Sequence, residues 1–379
     1  MTACGARSAL LMISALALGC GGAAPSRATE GRPLGAGAGH TCAIAGGFVW
    51  CWGSNADGQL GDGSETDSTS PGRLSGIAGP RQIAAGSYHT CALDDGGAVF
   101  CWGWNVGGQI GDGSNANRLA PFRVADLPPA AWLAAGSYHT CALAADGTGR
   151  CWGQNDAGQL GDGGSLNSGA PVGVFSLPPA AALAAGGRHT CALLRDGTVQ
   201  CWGGNDNGEL GDGTTAPHAF PEPVMGVAAA VAIASGFDHV CALDAAGAVW
   251  CWGANAYGQL GDGSTQDRST PAVVSGLAPA VAIATGYNHS CARVQDGSVR
   301  CWGWNAAGQL GDGTTTDRAA PVAVAGLTGV TALAAGGFHA CAETAPGAVF
   351  CWGSNDSGQL GDGTRADHGT PMPVTGGPL

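Results

Sequence analysis

A 50-residue period constrains this chain more than any other feature. Cys-Trp-Gly recurs at Cys51, Cys101, Cys151, Cys201, Cys251, Cys301 and Cys351, in steps of 50. Ahead of each stands His-x-Cys, beginning at His40, His89, His139, His189, His239, His289 and His339. Behind each comes Gly-Gln-Leu-Gly-Asp-Gly, altered only at Ile110 and Glu209. A fixed period means that one supersecondary unit is stacked on copies of itself, each burying a face on the next. The seven units lie near residues 34–82, 83–132, 133–182, 183–232, 233–282, 283–332 and 333–379, so 34–379 is expected to form one domain.

Each unit reads as short strands parted by Gly-rich turns, as in Ile233-Ala-Ser-Gly, His239-Val-Cys-Ala-Leu, Ala248-Val-Trp-Cys-Trp and Pro271-Ala-Val-Val. With 69 Gly and an apolar content dominated by small residues, long amphipathic helices are disfavoured. Four short strands and a period near 50 predict an all-β, seven-bladed β-propeller. Its first and last repeats look like the middle ones, which a closed ring permits and an open solenoid does not.

The cysteines are expected to pair inside each unit. Between Cys141 and Cys151 lies Ala145-Asp146-Gly147, a three-residue hairpin loop with Gly at its left-handed position. Ala144 then opposes Thr148, and counting back sets Cys141 opposite Cys151 at a non-hydrogen-bonded position, close enough for a disulfide. The first unit is one residue shorter, its loop shrinks to Gly46-Gly47, and Cys42 still faces Cys51. The same register pairs Cys91 with Cys101, Cys191 with Cys201, Cys241 with Cys251, Cys291 with Cys301 and Cys341 with Cys351. Each bridge closes a loop of about ten residues and is worth roughly 2–3 kcal/mol in the chain-entropy picture. Seven incomplete zinc sets are the poorer reading, and no unit has the spacing of a calcium loop, so no metal and no cofactor are expected.

The N-terminus reads as an address. Residues 1–20 hold Arg7, an apolar run over 9–18 and then Gly19-Cys20, which describes a secretory signal too short to span a bilayer. Ending in Leu-Gly-Cys, it resembles a bacterial lipoprotein signal, which makes Cys20 the acylated residue. Residues 21–33 read as a flexible linker. The expected location is the cell envelope, tethered on the periplasmic or outer side, or secreted.

Residues present in every repeat solve a problem that every repeat has. The histidines are expected to be buried and bonded to neighbouring backbone carbonyls, Asn55 and its equivalents to hold turns, and Trp152 and its equivalents to pack between blades. Net charge is −13 and the chain contains no Lys, which disfavours nucleic acid and removes any phosphate-loop lysine. No Gly-x-Ser-x-Gly, His-Glu-x-x-His or Walker loop is present, so no catalytic residue is assigned and an enzyme is not expected.

The runs Gly-x-x-His-x-Cys-Ala-Leu, Gly-x-Val-x-Cys-Trp-Gly-x-Asn and Gly-Gln-Leu-Gly-Asp-Gly resemble the regulator of chromosome condensation repeat family. That resemblance implies a seven-bladed propeller, often closed by pairing a C-terminal strand into the first blade. It also implies, as an alternative function, guanine-nucleotide exchange on a small GTPase, as the family's nuclear founding member performs with an inserted hairpin and a basic tail. Neither feature is seen here. A secreted bacterial member that inhibits a β-lactamase through aromatics on one face is nearer in compartment.

Recognition is expected where the repeats differ. Three slots vary: before His (Tyr88, Tyr138, Arg188, Phe237, Tyr287, Phe338), after Cys-Trp-Gly (Trp104, Trp304) and before Gly-Gln-Leu (Tyr257, with Asp57, Asp156, Asp206 and Asp356). Aromatics with scattered carboxylates beside turns suit a face that binds a protein or a glycan. A monomer acting as a binding module is the favoured reading, and a cell-surface hydrolase the remaining one.

Overall fold

The computed structural model describes residues 33–345 and 347–377. The expected signal segment, with Cys20 as its expected lipid acceptor, and the linker up to residue 32 lie outside the described residues. Within them, 28 strands form seven four-stranded antiparallel sheets, each drawn from one repeat in chain order. The third repeat shows the pattern: Ala130–Ala135, His139–Ala144, Gly149–Gly153 and Ser168–Gly173. The fifth repeat's strands are Ala230–Ser235, His239–Asp244, Val249–Gly253 and Arg268–Val273. The fourth strand therefore begins three residues before Pro271. Proline is tolerated there because this strand is the outer edge of its sheet.

The hairpin reading holds in both loop lengths. Cys141 pairs with Cys151 in register, and Ala144 N–H donates to the Thr148 carbonyl at 3.0 Å across the three-residue loop. In the first blade Ala45 opposes Phe48 around Gly46 and Gly47, whose φ values are 58° and 80°. Both torsions belong to the left-handed region that a two-residue hairpin turn demands. All seven disulfides form, with Cα atoms 4.1–4.2 Å apart.

The core lies between blades. One cluster joins Leu34, Ala43 and Trp52 of the first blade to Cys341, Val349, Leu360 and Val374 of the last. The indole after each Cys is wholly buried, a burial worth about 2–3 kcal/mol per ring. Its N–H donates to the backbone carbonyl of residue 59, or that residue's equivalent, in the preceding blade: Trp102 to Gln59, Trp252 to Glu209 and Trp52 to Gln359, at 2.8–2.9 Å. Gly361 sits beneath the Trp52 ring at φ 70°, where an added Cβ would lie 2.6 Å from the indole nitrogen. The repeated Gly-Gln-Leu-Gly is thus a cradle for the next blade's indole.

Closure does not use the shared strand that the resemblance allows. The C-terminal strand His368–Pro373 pairs with Ala348–Gly353 of its own blade, and the first blade completes itself from Leu34–Ala36 to Ser68–Arg73. Since each repeat supplies all four of its strands, no strand among the described residues is left to exchange. The ring is sealed instead by the bonds used at the other interfaces.

The histidines also differ from expectation. His40 Nε2 meets the Thr90 hydroxyl of the next blade at 2.8 Å, and that hydroxyl donates to the Gln59 carbonyl at 2.8 Å. The hydroxyl has one proton and the carbonyl takes it, so His40 must donate from Nε2. The same relay runs from His89 to Thr140, His139 to Thr190, His239 to Ser290 and His339 to Thr41. Burial then holds these rings neutral, at about 4 for His40, His189 and His289 and about 3 for His89, His139, His239 and His339. Val240 and Ala340 stand at the hydroxyl position facing His189 and His289, and among the described residues neither His189 Nε2 nor either nitrogen of His289 has a partner.

Candidate binding face

Consecutive antiparallel strands send the first-to-second and third-to-fourth connections out at one end of a blade and the hairpins out at the other. All three variable slots sit on the first pair of connections, so they share one face of the ring. The slot before His divides in two, because it spans the bend that leads into the second strand. Tyr88, Tyr138, Arg188, Asp238 and Phe338 stand immediately before their histidines, while Phe237 and Tyr287 stand one residue earlier.

The residue immediately before His reaches back to the long connection of the preceding blade. Tyr138 meets Trp104 edge-on, with centroids 5.5 Å apart at 67°. Phe338 meets Trp304 in the same way, at 5.1 Å and 66°. Arg188 pairs with Asp156 at 2.8 Å. Residues one earlier turn toward the axis: the Tyr287 hydroxyl donates to Ser87 Oγ at 2.5 Å, linking the sixth blade to the second. Phe237 and Tyr287 line the narrow end of the axial channel, whose main cavity of about 600 Å³ is walled by the first strands.

These contacts join into a band. Tyr257 touches Trp304, Phe338 touches Tyr287, and Tyr287 touches Phe237, at 6.3, 5.3 and 5.0 Å. Across the axis Tyr88 packs on Trp104 and Tyr138, each at 6.3 Å. Tyr88 and Tyr257 are the most open rings, 39% and 40% exposed, and Arg188 is exposed; the other six rings are half-buried. Burial pushes the Tyr138 and Tyr287 hydroxyls above the usual tyrosine range, so both stay protonated.

Beside the band the fourth and fifth blades carry carboxylates. Burial, then the charges of Glu209 and Asp206, raise Asp238 to about 6, with Arg188 partly opposing them. Glu209 is itself raised by burial. Among the described residues no group of three or more His, Cys, Asp or Glu is arranged to hold a metal ion. No helix among them is long and apolar enough to cross a membrane.

Two features escaped the sequence. The Gln of each Gly-Gln-Leu folds its side chain back onto its own turn: Gln59 Oε1 accepts from Asp57 N at 2.9 Å and Gln109 Oε1 from Gly107 N at 3.0 Å. Its Nε2 meets the residue after Cys-Trp-Gly where that is Ser54 or Ser354, whereas Gln109 and Gln309 have no partner for Nε2 among the described residues. On the outer rim, Phe175 and Phe220 touch at 5.3 Å and are 58% and 45% exposed. Comparing Phe220 with Ser70, Ala120 and Ala170 in the other repeats is the signal that finds it.

An RCC1-like domain model matches residues 167–378. A regulator of chromosome condensation (RCC1) repeat model matches residues 46–93 and 96–143, and a second model of that repeat matches 81–109 and 133–159. Yeast RCC1 (Prp20), solved with Kap60 bound to it, is 23% identical with a TM-score of 0.79, covering 93% of this chain and 86% of that one. Prp20p from Saccharomyces cerevisiae, described with its binding to Gsp1p and histones, is 24% identical with a TM-score of 0.76, covering 91% and 86%. Human WBSCR16 is 23% identical with a TM-score of 0.78, covering 86% and 94%. No curated protein matches the sequence.

Proposed function

This chain belongs to the RCC1-like domain family, and from that premise and the geometry of its loop face we propose that it is an exported binding module rather than an enzyme. It engages a protein or glycan ligand through the aromatic band and acts as a monomer. The observation that carries this reading is the concentration of aromatic side chains in slots the repeats do not share: the four Tyr of the chain, with Trp104 and Trp304, all stand there. Exposed and half-buried rings at the centre of a face are what binding hot spots are made of.

Export and tethering rest on the signal-like segment at residues 1–20, on Cys20 as lipid acceptor, and on the seven disulfides, which suit an oxidising compartment. Replacing Cys20 with Ser should release the protein from the membrane fraction; unchanged partitioning would contradict the anchor.

The binding reading is tested by capture from cell-envelope fractions on the immobilised protein. Trp104→Ala, Tyr138→Ala and Trp304→Ala combined should abolish capture while the thermal transition stays in place. Capture that survives the triple change contradicts it. The family resemblance supplies the rival reading, exchange on a GTPase, and accelerated nucleotide release from a small GTPase would favour that instead.

A further inference from the structure

The band contains two arrangements built alike. In the second blade Trp104 stands edge-on to Tyr138 with Gln109 in the same connection; in the sixth, Trp304 stands edge-on to Phe338 with Gln309. In both, the amide orientation is settled, because Oε1 accepts the N–H of Gly107 or Ala307 at 3.0 and 3.1 Å and only oxygen can do so. Nε2 must then aim at the slot after Cys-Trp-Gly. Ser54 and Ser354 fill that slot in the first and last blades and take the bond at 3.2 Å. Trp104 and Trp304 replace the serine, and the two amide donors are left fully buried without an acceptor among the described residues.

An orphan donor of that kind is costly, because burial strips it of water and nothing replaces the lost bond. The ring itself contains the remedy, a serine, and forgoes it at the two places where an indole is presented on the binding face. A ligand that explains both groups must bring an apolar surface to the indole and an oxygen acceptor to the amide beside it.

We propose that Trp104 with Gln109 and Trp304 with Gln309 are twin subsites for an uncharged oligosaccharide. This rests on the reading of the loop face as a binding surface and commits that surface to a glycan. A pyranose offers both features at once: a flat C–H face that stacks on an aromatic ring, and hydroxyl oxygens around its edge. Two subsites of one design suit a ligand of repeating units, and binding at one raises the effective concentration at the other. The two are connected over the axis through Tyr88, the Ser87–Tyr287 bond and Phe338. Asp206, Glu209 and Asp238 beside the band, in a chain of net charge −13, repel uronic-acid and sulfated glycans. Because each Nε2 is shielded from solvent, a sugar reaches it only by displacing a neighbouring side chain.

Calorimetric titration of the full chain with cello-, chito-, malto- and xylohexaose tests this, with the matching disaccharides and a hexagalacturonate as controls. At least one neutral hexaose should bind, at least tenfold more tightly than its disaccharide, and the hexagalacturonate should not. Trp104→Ser and Trp304→Ser each restore the hydroxyl that their sister blades carry. Each should cost tenfold or more in hexaose affinity while leaving the melting temperature equal or higher, a combination that a packing role for the indoles does not produce. No binding by any neutral hexaose, or binding indifferent to both variants, overturns the proposal. If the envelope fractions then yield a protein whose capture needs the same indoles, the face stands and the glycan falls. If no capture depends on them, both fall.

Discussion

Trp52, on the first blade, donates its indole N–H at 2.9 Å to the backbone carbonyl of Gln359 on the last, 307 residues away in sequence. Thr41 donates to the same carbonyl at 2.9 Å and meets His339 Nε2 at 2.8 Å. That trio also links the first blade to the second, through Trp102, Thr90, Gln59 and His40. The seam where the two ends of the ring meet is therefore chemically the same as a junction inside it.

Equal junctions should fail equally. Trp52→Phe and Trp102→Phe each keep most of the ring and remove one buried hydrogen bond, at a cost of about 1 kcal/mol. Denaturant midpoints of the two variants should coincide within error. A far larger loss at Trp52 would mean that the seam is the weak point and the ring needs another closure.

The two missing hydroxyls are an opportunity to stabilise. Ala340→Thr would give His289 Nε2 and the Gln309 carbonyl the partner found elsewhere, and Val240→Thr would do so for His189. Each should add about 1 kcal/mol by chemical denaturation, and Thr90→Val should subtract a similar amount. No gain at either position would show that the relay does not carry stability.

Of this architecture, the hairpins and their disulfides were legible because the Gly positions at 46, 47 and 147 dictate the turn and the turn dictates the register. The partner of the histidines was not, because the residue after His varies among Thr, Ser, Val and Ala, and a repeat is read through what stays constant. The variable face was visible as slots; its geometry was not. Whether an aromatic stands one or two residues before His decides between an outward contact, as for Tyr138 with Trp104, and an axial one, as for Tyr287 with Ser87. The unpartnered amides of Gln109 and Gln309 depend on a side-chain fold that no spacing announces.

Acid should unfold the ring through its histidines. The unfolded chain protonates each ring near the ordinary value of 6.5, whereas the folded chain resists until about 3 or 4. Between those limits the unfolded state holds more protons, so stability is full above pH 6.5 and is lost as pH falls toward 4. Urea midpoints from pH 8 to pH 4 should be flat at first and then decline steadily. A midpoint unchanged at pH 5 would contradict the buried neutral imidazoles.

The sulfur staples should be individually dispensable and jointly decisive. Replacing Cys141 and Cys151 together with Ser should cost about 2–3 kcal/mol. Because the bridges are buried, at most 1% exposed, mild reductant should leave the native ring intact and act only once denaturant opens it. Rapid reduction without denaturant would argue against the packing between blades.

On the proposed reading, repeated residues hold the ring and unrepeated ones recognise a ligand. The most direct test sets ligand capture per folded molecule against thermal stability in the variant carrying Trp104→Ala, Tyr138→Ala and Trp304→Ala. Capture should vanish with the melting temperature within a few degrees of the parent. Undiminished capture by that folded variant would contradict the division.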